Sequence, residues 1–127
     1  LANYQQLLIN GITKSPVKNV QYAEIWMKDL LSLIENQVII GPICYYLEKD
    51  NRRGLVCICA TETSHITLHI WDEPFPCKIQ FDFYTCDELP LNKIVENLES
   101  KLGLYNYNYL IIEREEEFKI KIESKGD

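Results

Sequence analysis

The sequence predicts an α+β fold: a two-layer α/β sandwich with an antiparallel sheet and two helices packed on one face. Three observations predict it. Ser64 to Trp71 alternates with period two, His65, Thr67, His69 and Trp71 on one side and Ile66, Leu68 and Ile70 on the other. Ile79 to Cys86 alternates likewise, Ile79, Phe81 and Phe83 against Gln80, Asp82, Tyr84 and Cys86. Such alternation marks an antiparallel sheet with one covered face. The third observation is a pair of segments with apolar residues three and four apart, the period of a helix that buries one side. The 127 residues suit one domain over 1–127.

Tyr4 to Asn10 reads as the first strand, and Gly11 with Ser15-Pro16 supplies turn chemistry. From Val20 to Ile34, Val20, Ala23, Met27, Leu30, Leu31 and Ile34 form a helical stripe, with Asn19 as its N-cap. Val38 to Leu47 is β-rich, Glu48 to Gly54 a polar turn, and Leu55 to Ala60 another strand. A second helix follows Pro90, its stripe Leu91, Ile94, Val95, Leu98 and Leu102, stopped by Gly103. Tyr107–Ile112 and Phe118–Ile122 close the sheet, and the acidic run Glu113–Glu117 forms a solvated turn between them. Tyr105, Tyr107 and Tyr109 share one strand face, suited either to an interface or to the core.

Thirteen Lys and Arg against nineteen Asp and Glu give a net charge of −6. An acidic chain repels phosphate backbones and anionic bilayers, which argues against nucleic acid and membrane partners. No apolar run reaches the ~18 residues of a spanning helix, and the first residues lack a secretion-signal pattern. The five cysteines, Cys44, Cys57, Cys59, Cys77 and Cys86, are an odd number without C-x-x-C pairs. Free thiols in a reducing, cytoplasmic setting are therefore expected, most of them small buried apolar groups.

Reactive side chains concentrate between Glu62 and Glu73 and again at Tyr84-Thr85-Cys86. Both histidines of the chain lie there, four apart on one strand face. Ser64 and His65 make a poor hydrolase pair, because adjacent strand residues point apart and no G-x-S-x-G elbow surrounds the serine. His65 and His69 lack a third ligand at suitable spacing, so no metal is expected.

The stretch Glu62-Thr63-Ser64-His65-Ile66-Thr67-Leu68-His69-Ile70-Trp71-Asp72-Glu73, followed by Phe83-Tyr84-Thr85-Cys86, resembles the small prokaryotic S-adenosylmethionine decarboxylases. Their signature is E-S-H-x-x-[IL]-H-T-W-P-E and then F-T-C-G. The close match covers about Gly54 to Cys86, and a weaker likeness runs from Tyr4 to Leu102. The resemblance implies self-cleavage before the motif serine, which becomes a pyruvoyl group. That covalent electrophile captures the substrate amine and acts as an electron sink while carbon dioxide leaves.

Carried over by position, the resemblance makes Ser64 the pyruvoyl precursor and His69 the base that eliminates the serine ester. Cys86 returns a proton to the decarboxylated carbon. Glu73 contacts the nucleoside, Trp71 is the neighbouring aromatic wall, and His65 belongs to the same substrate-binding face. It further implies S-adenosylmethionine as substrate, a place in polyamine synthesis and a homodimer. Processing at Thr63-Ser64 requires Ser64 and His69 to meet, which strand alternation permits only if Ser64 lies in the turn before its strand.

The chain also departs from the family pattern. Thr63 precedes Ser64, with the glutamate one position earlier; Thr63 itself follows Glu62, but the spacing to His69 selects Ser64. Aligned on Gly54, Asp50 replaces a phenylalanine that stacks on adenine, and Val56 replaces a serine that assists processing. Asp72 replaces the W-P-E proline, and Asp87 replaces the glycine after the cysteine. Two other readings therefore stand beside the first. One is an unprocessed homologue without decarboxylation or cofactor, binding S-adenosylmethionine, acting as a lyase or serving as an interaction subunit. The other is a pyruvoyl decarboxylase for a different amino acid.

Overall fold

A computed structural model describes residues 3–73 and 75–126. Seven strands and two helices alternate as β1 (Gln5–Thr13), α1 (Val20–Leu33), β2 (Val38–Lys49), β3 (Arg52–Thr61), β4 (Ser64–Trp71), β5 (Cys77–Thr85), α2 (Leu91–Leu102), β6 (Tyr105–Glu113) and β7 (Lys119–Gly126). The strands form one sheet in the order β2-β3-β4-β5-β1-β6-β7, every neighbouring pair antiparallel. This is the α+β sandwich that the alternating strands and two helical stripes predict.

Register explains the covered face. Leu55, Ile70 and Ile79 form one cross-strand row, and Cys57, Leu68, Phe81 and Ile9 the next. Cys59, Ile66, Phe83, Leu7 and Ile111 make a third, and all of these side chains are buried. Cross-strand neighbours share a face, so three rows of apolar residues make a continuous floor for the helices. Upon it sit Ala23, Trp26, Met27, Leu30 and Leu31 of α1 with Ile94, Leu98 and Leu102 of α2. The Trp26 indole N–H donates to Asn97 Oδ1 at 2.7 Å and ties the two helices together.

The helix ends follow from local chemistry. Asn19 Oδ1 accepts the Tyr22 N–H at 2.8 Å, as its N-cap position predicts. Gly103 takes the left-handed conformation, φ 69°, that ends α2, and its N–H donates to the Leu98 carbonyl.

Several expectations are corrected. Gly11 lies inside β1 rather than in a turn; a Cβ there would overlap Leu104 and come within 2.8 Å of Tyr107 Cβ. The turn predicted over Glu48–Gly54 shrinks to Asp50-Asn51, because the ladder continues through Lys49↔Arg52. Gly54 belongs to β3 opposite Trp71, where a Cβ would meet the indole at 3.0 Å. The cysteines are not all free. Cys44 and Cys57 face each other across β2 and β3 and are joined as a disulfide, while Cys59, Cys77 and Cys86 remain thiols. Adjacent-strand pairing brings the two Cα atoms to 4.1 Å, a proximity that residue counting cannot reveal. Among the described residues no helix is long and apolar enough to cross a membrane.

Candidate functional site

The covered face does not end in apolar residues. Beyond the third row lies a fourth, at the end of the sheet, made of the buried polar side chains Thr61, Ser64, Thr85 and Gln5. Ser64 is the first residue of β4, opposite Thr85, and is 5 % exposed. It therefore stands within the ladder, on the face of Ile66 and Leu68, and only Glu62 and Thr63 turn between β3 and β4.

A buried hydroxyl needs partners, and this row supplies them. Ser64 Oγ lies 2.6 Å from Thr61 Oγ1 and donates to Asn36 Oδ1 at 2.9 Å. Thr61 Oγ1 accepts the backbone N–H of Ser64 at 2.9 Å and that of Thr63 at 3.2 Å. Asn36 follows α1 and donates through Nδ2 to the Ile34 carbonyl at 3.0 Å, which turns its Oδ1 towards the serine. On the other strand, the backbone N–H of Cys86 donates to the Thr63 carbonyl at 2.9 Å. Cys86 is half-buried, just past the end of β5, with its own carbonyl accepting the Asn3 N–H at 3.0 Å. The Thr63-Ser64 peptide is thus gripped at its carbonyl, its nitrogen and its serine hydroxyl.

The open face of the sheet holds the other candidates. His65 stacks on Tyr84 with ring centroids 5.2 Å apart, and His69 on Trp71 at 5.3 Å. The Trp71 indole N–H donates to Gln80 Oε1 at 3.0 Å. Asp82 stands opposite Thr67, between the two histidine rows. Burial pushes its carboxyl up, while the charges of His69 and then His65 pull it down. The Arg114 guanidinium lies 5.1 Å from the Tyr84 ring centroid, at cation–π distance. Ser64 and His69 lie on opposite faces, about 17 Å apart along β4 at ~3.3 Å per residue. Within one chain the fold does not bring them together.

A third cluster surrounds Glu73 at the far end of β4. Arg53 Nη2 approaches Glu73 Oε2 at 3.0 Å, and its Nε lies 3.6 Å from Asp72 Oδ1. The Asp72 side chain is 2 % exposed and accepts a short 2.6 Å hydrogen bond from the Tyr46 hydroxyl. Burial, then the bond to Asp72, push the Tyr46 phenol up to about 12. Asp72 Oδ1 and Glu73 Oε1 have no hydrogen-bond donor among the described residues. Asp50 lies in the adjacent β2–β3 turn, and Val56 stands directly opposite His69, so only the second departure borders the open-face groups.

Sequence reasoning placed Ser64, Cys86, His65, His69, Trp71 and Glu73 in one constellation; the structure divides them. The Cys86 backbone meets the Thr63-Ser64 peptide at the end of the sheet, His65, His69 and Trp71 share the open face, and Glu73 pairs with Arg53. Asn36, Thr61, Arg53, Tyr46 and Asp82 were missed. Thr61 was legible as part of a polar run. Asn36 carries no local signal, since only folding brings the end of α1 to β4.

The family model described as S-adenosylmethionine decarboxylase matches residues 7–115. No curated protein matches the chain. The matched stretch contains both helices and the strands β1 to β6, β1 from Leu7 onward, and ends before β7.

Proposed function

Since the chain belongs to the S-adenosylmethionine decarboxylase family, we propose that it is a self-cleaving, pyruvoyl-dependent decarboxylase of S-adenosylmethionine, processed at Thr63-Ser64 and serving polyamine synthesis. The observation that carries this reading is the Cys86 N–H on the Thr63 carbonyl at 2.9 Å. It is aimed at the oxygen on which negative charge develops when Ser64 Oγ attacks, the work of an oxyanion donor. The residues present fit a pyruvoyl group at position 64: a buried serine follows a carbonyl that the Cys86 N–H polarises, and the half-buried Cys86 comes one residue after Thr85, the strand partner of Ser64. Once formed, that group supplies an electrophilic carbonyl that withdraws electrons from the substrate's α-carbon. Cys86 then delivers the proton that replaces the lost carboxyl group.

His69 has the role of the base that removes the Ser64 α-proton, and it cannot play it on its own chain's serine across about 17 Å. A homodimer resolves this only where the second copy's His69 reaches the sheet end at Ser64, whose hydroxyl faces the covered side. The open face is suited to burial. Ile40, Ile43 and Ile58 are exposed on one side of the histidines and Phe118 and Ile120 on the other. In such a dimer Trp71 and His65 line the substrate space, and the acidic character of the chain suits a sulfonium cation.

Intact-mass spectrometry tests the processing step. Two fragments, 1–63 and 64–127, are expected, the second with a modified first residue. A persistent 14.9 kDa species, under conditions that keep the chain folded, sinks the reading and leaves the unprocessed homologue. One observation favours a different substrate for the same chemistry. Glu73 is held by Arg53, and Asp50 offers no ring to stack on adenine. Carbon dioxide release measured with S-adenosylmethionine and with a panel of amino acids separates the two substrates.

A further inference from the structure

We infer that Thr61 is a catalytic residue of self-cleavage, its hydroxyl relaying the proton from Ser64 Oγ to the Ser64 nitrogen, with Asn36 anchoring the serine hydroxyl. The inference rests on the self-processing reading above. It adds a group that the motif comparison does not supply, at the step where Val56 lacks the hydroxyl of the family's assisting serine.

Transfer of an acyl group from nitrogen to oxygen moves one proton over a short path. Ser64 Oγ bonds to the Thr63 carbonyl carbon and loses a proton; the carbon–nitrogen bond breaks and the nitrogen gains one. Thr61 Oγ1 touches both ends of that path, 2.6 Å from Ser64 Oγ and 2.9 Å from Ser64 N. A hydroxyl both donates and accepts, so it can take the proton of Ser64 Oγ while passing its own to the nitrogen. Nothing is consumed, and the product is a Thr63 ester on Ser64 with a free amine. The charge formed on the Thr63 carbonyl oxygen during the step faces the Cys86 N–H.

The resting hydrogen bonds set the geometry. Two backbone N–H groups occupy the lone pairs of Thr61 Oγ1, so its proton points to Ser64 Oγ, whose own proton points to Asn36 Oδ1. The Asn36 amide is held by the Ile34 carbonyl and cannot take the proton itself; it keeps the serine hydroxyl within reach of the relay. As the amide nitrogen becomes pyramidal it stops donating and offers a lone pair to Thr61. The relay therefore switches direction only as the carbon–nitrogen bond weakens.

The experiment follows cleavage of freshly folded chain by intact mass, with and without hydroxylamine, which cuts esters and spares amides. Melting temperatures of all variants are measured beside it. Thr61→Val is expected to cleave about 100-fold more slowly and to show no hydroxylamine-sensitive ester. Thr61→Ser, which keeps the hydroxyl, is expected to stay close to the wild-type rate. Asn36→Ala leaves the Thr61 bonds to the backbone in place and is expected to slow cleavage about tenfold. It keeps the proposal testable should Thr61→Val fold poorly. Normal cleavage in Thr61→Val or Asn36→Ala overturns the relay, as does ester accumulation in Thr61→Val or equal impairment of Thr61→Ser. A wild-type chain that neither cleaves nor forms ester overturns the processing reading, and the relay falls with it.

Discussion

Ser64 and His69 lie five residues apart on one strand, in environments with opposite demands. On the covered side, Ser64 has lost water and is held by Thr61 and Asn36. On the open side, His69 leans on Trp71, flanked by Val56 and Gln80, with no helix above it. A buried polar group must have its bonds supplied by the fold, whereas an open-face group can wait for a partner or a ligand. The difference teaches where each kind of variant should register: changes on the covered side alter folding and chemistry together, and changes on the open side leave folding nearly alone.

The largest expected effects separate the two sides outright. Ser64→Ala should abolish cleavage, and His69→Ala should arrest it at the hydroxylamine-sensitive ester with little change in melting temperature. Mixing the two variants should restore cleavage of the His69→Ala chain if a second copy supplies the histidine; no fragments from the mixture would place the base elsewhere.

Next comes the floor beneath the helices. Phe81 is fully buried, and Phe81→Ala should cost about 3–5 kcal/mol in denaturant unfolding through lost burial and a residual cavity. A loss near that of a surface substitution would show that the helices do not pack on this row. Smaller again is the effect at the Glu73 end. Arg53 is half exposed but is the cation beside the buried Asp72, so Arg53→Ala should cost about 1–2 kcal/mol. No loss would mean that Tyr46 alone satisfies the carboxylate.

The smallest effect concerns Asp82. Its carboxyl is raised in the folded chain, so the folded state holds the proton more tightly than the unfolded state. The charged form therefore opposes folding at neutral pH, and this penalty fades as pH falls through the raised folded value. Asp82→Asn should raise the melting temperature slightly at neutral pH, and the gain should shrink on acidification. A loss in place of the gain, deepest where the imidazoles are charged, would show that the two histidines dominate the site.

Much of this was legible in the chain. The alternation in β4 and β5 revealed both faces because a strand's side chains repeat every two residues, and Asn19 and Gly103 marked helix ends through local bonding, Pro90 through its restricted backbone. The β2–β3 turn was read too long because Glu48, Lys49, Arg52 and Arg53 are polar, yet at the sheet margin polar strand residues face solvent freely. Asn36, the Cys44–Cys57 bond and the Arg53 pairing were illegible, since each joins residues from different elements.

The sequence by itself determined the covered and open faces, the helical stripes and the motif that places the chain in its family. These depend on repeats and spacings that a chain carries locally. Only the tertiary structure decided that Ser64 turns towards the helices and His69 away from them, and that Thr61 and Asn36 close around the serine. Strand register and the landing point of α1 fix those contacts, and both are set by packing between distant segments.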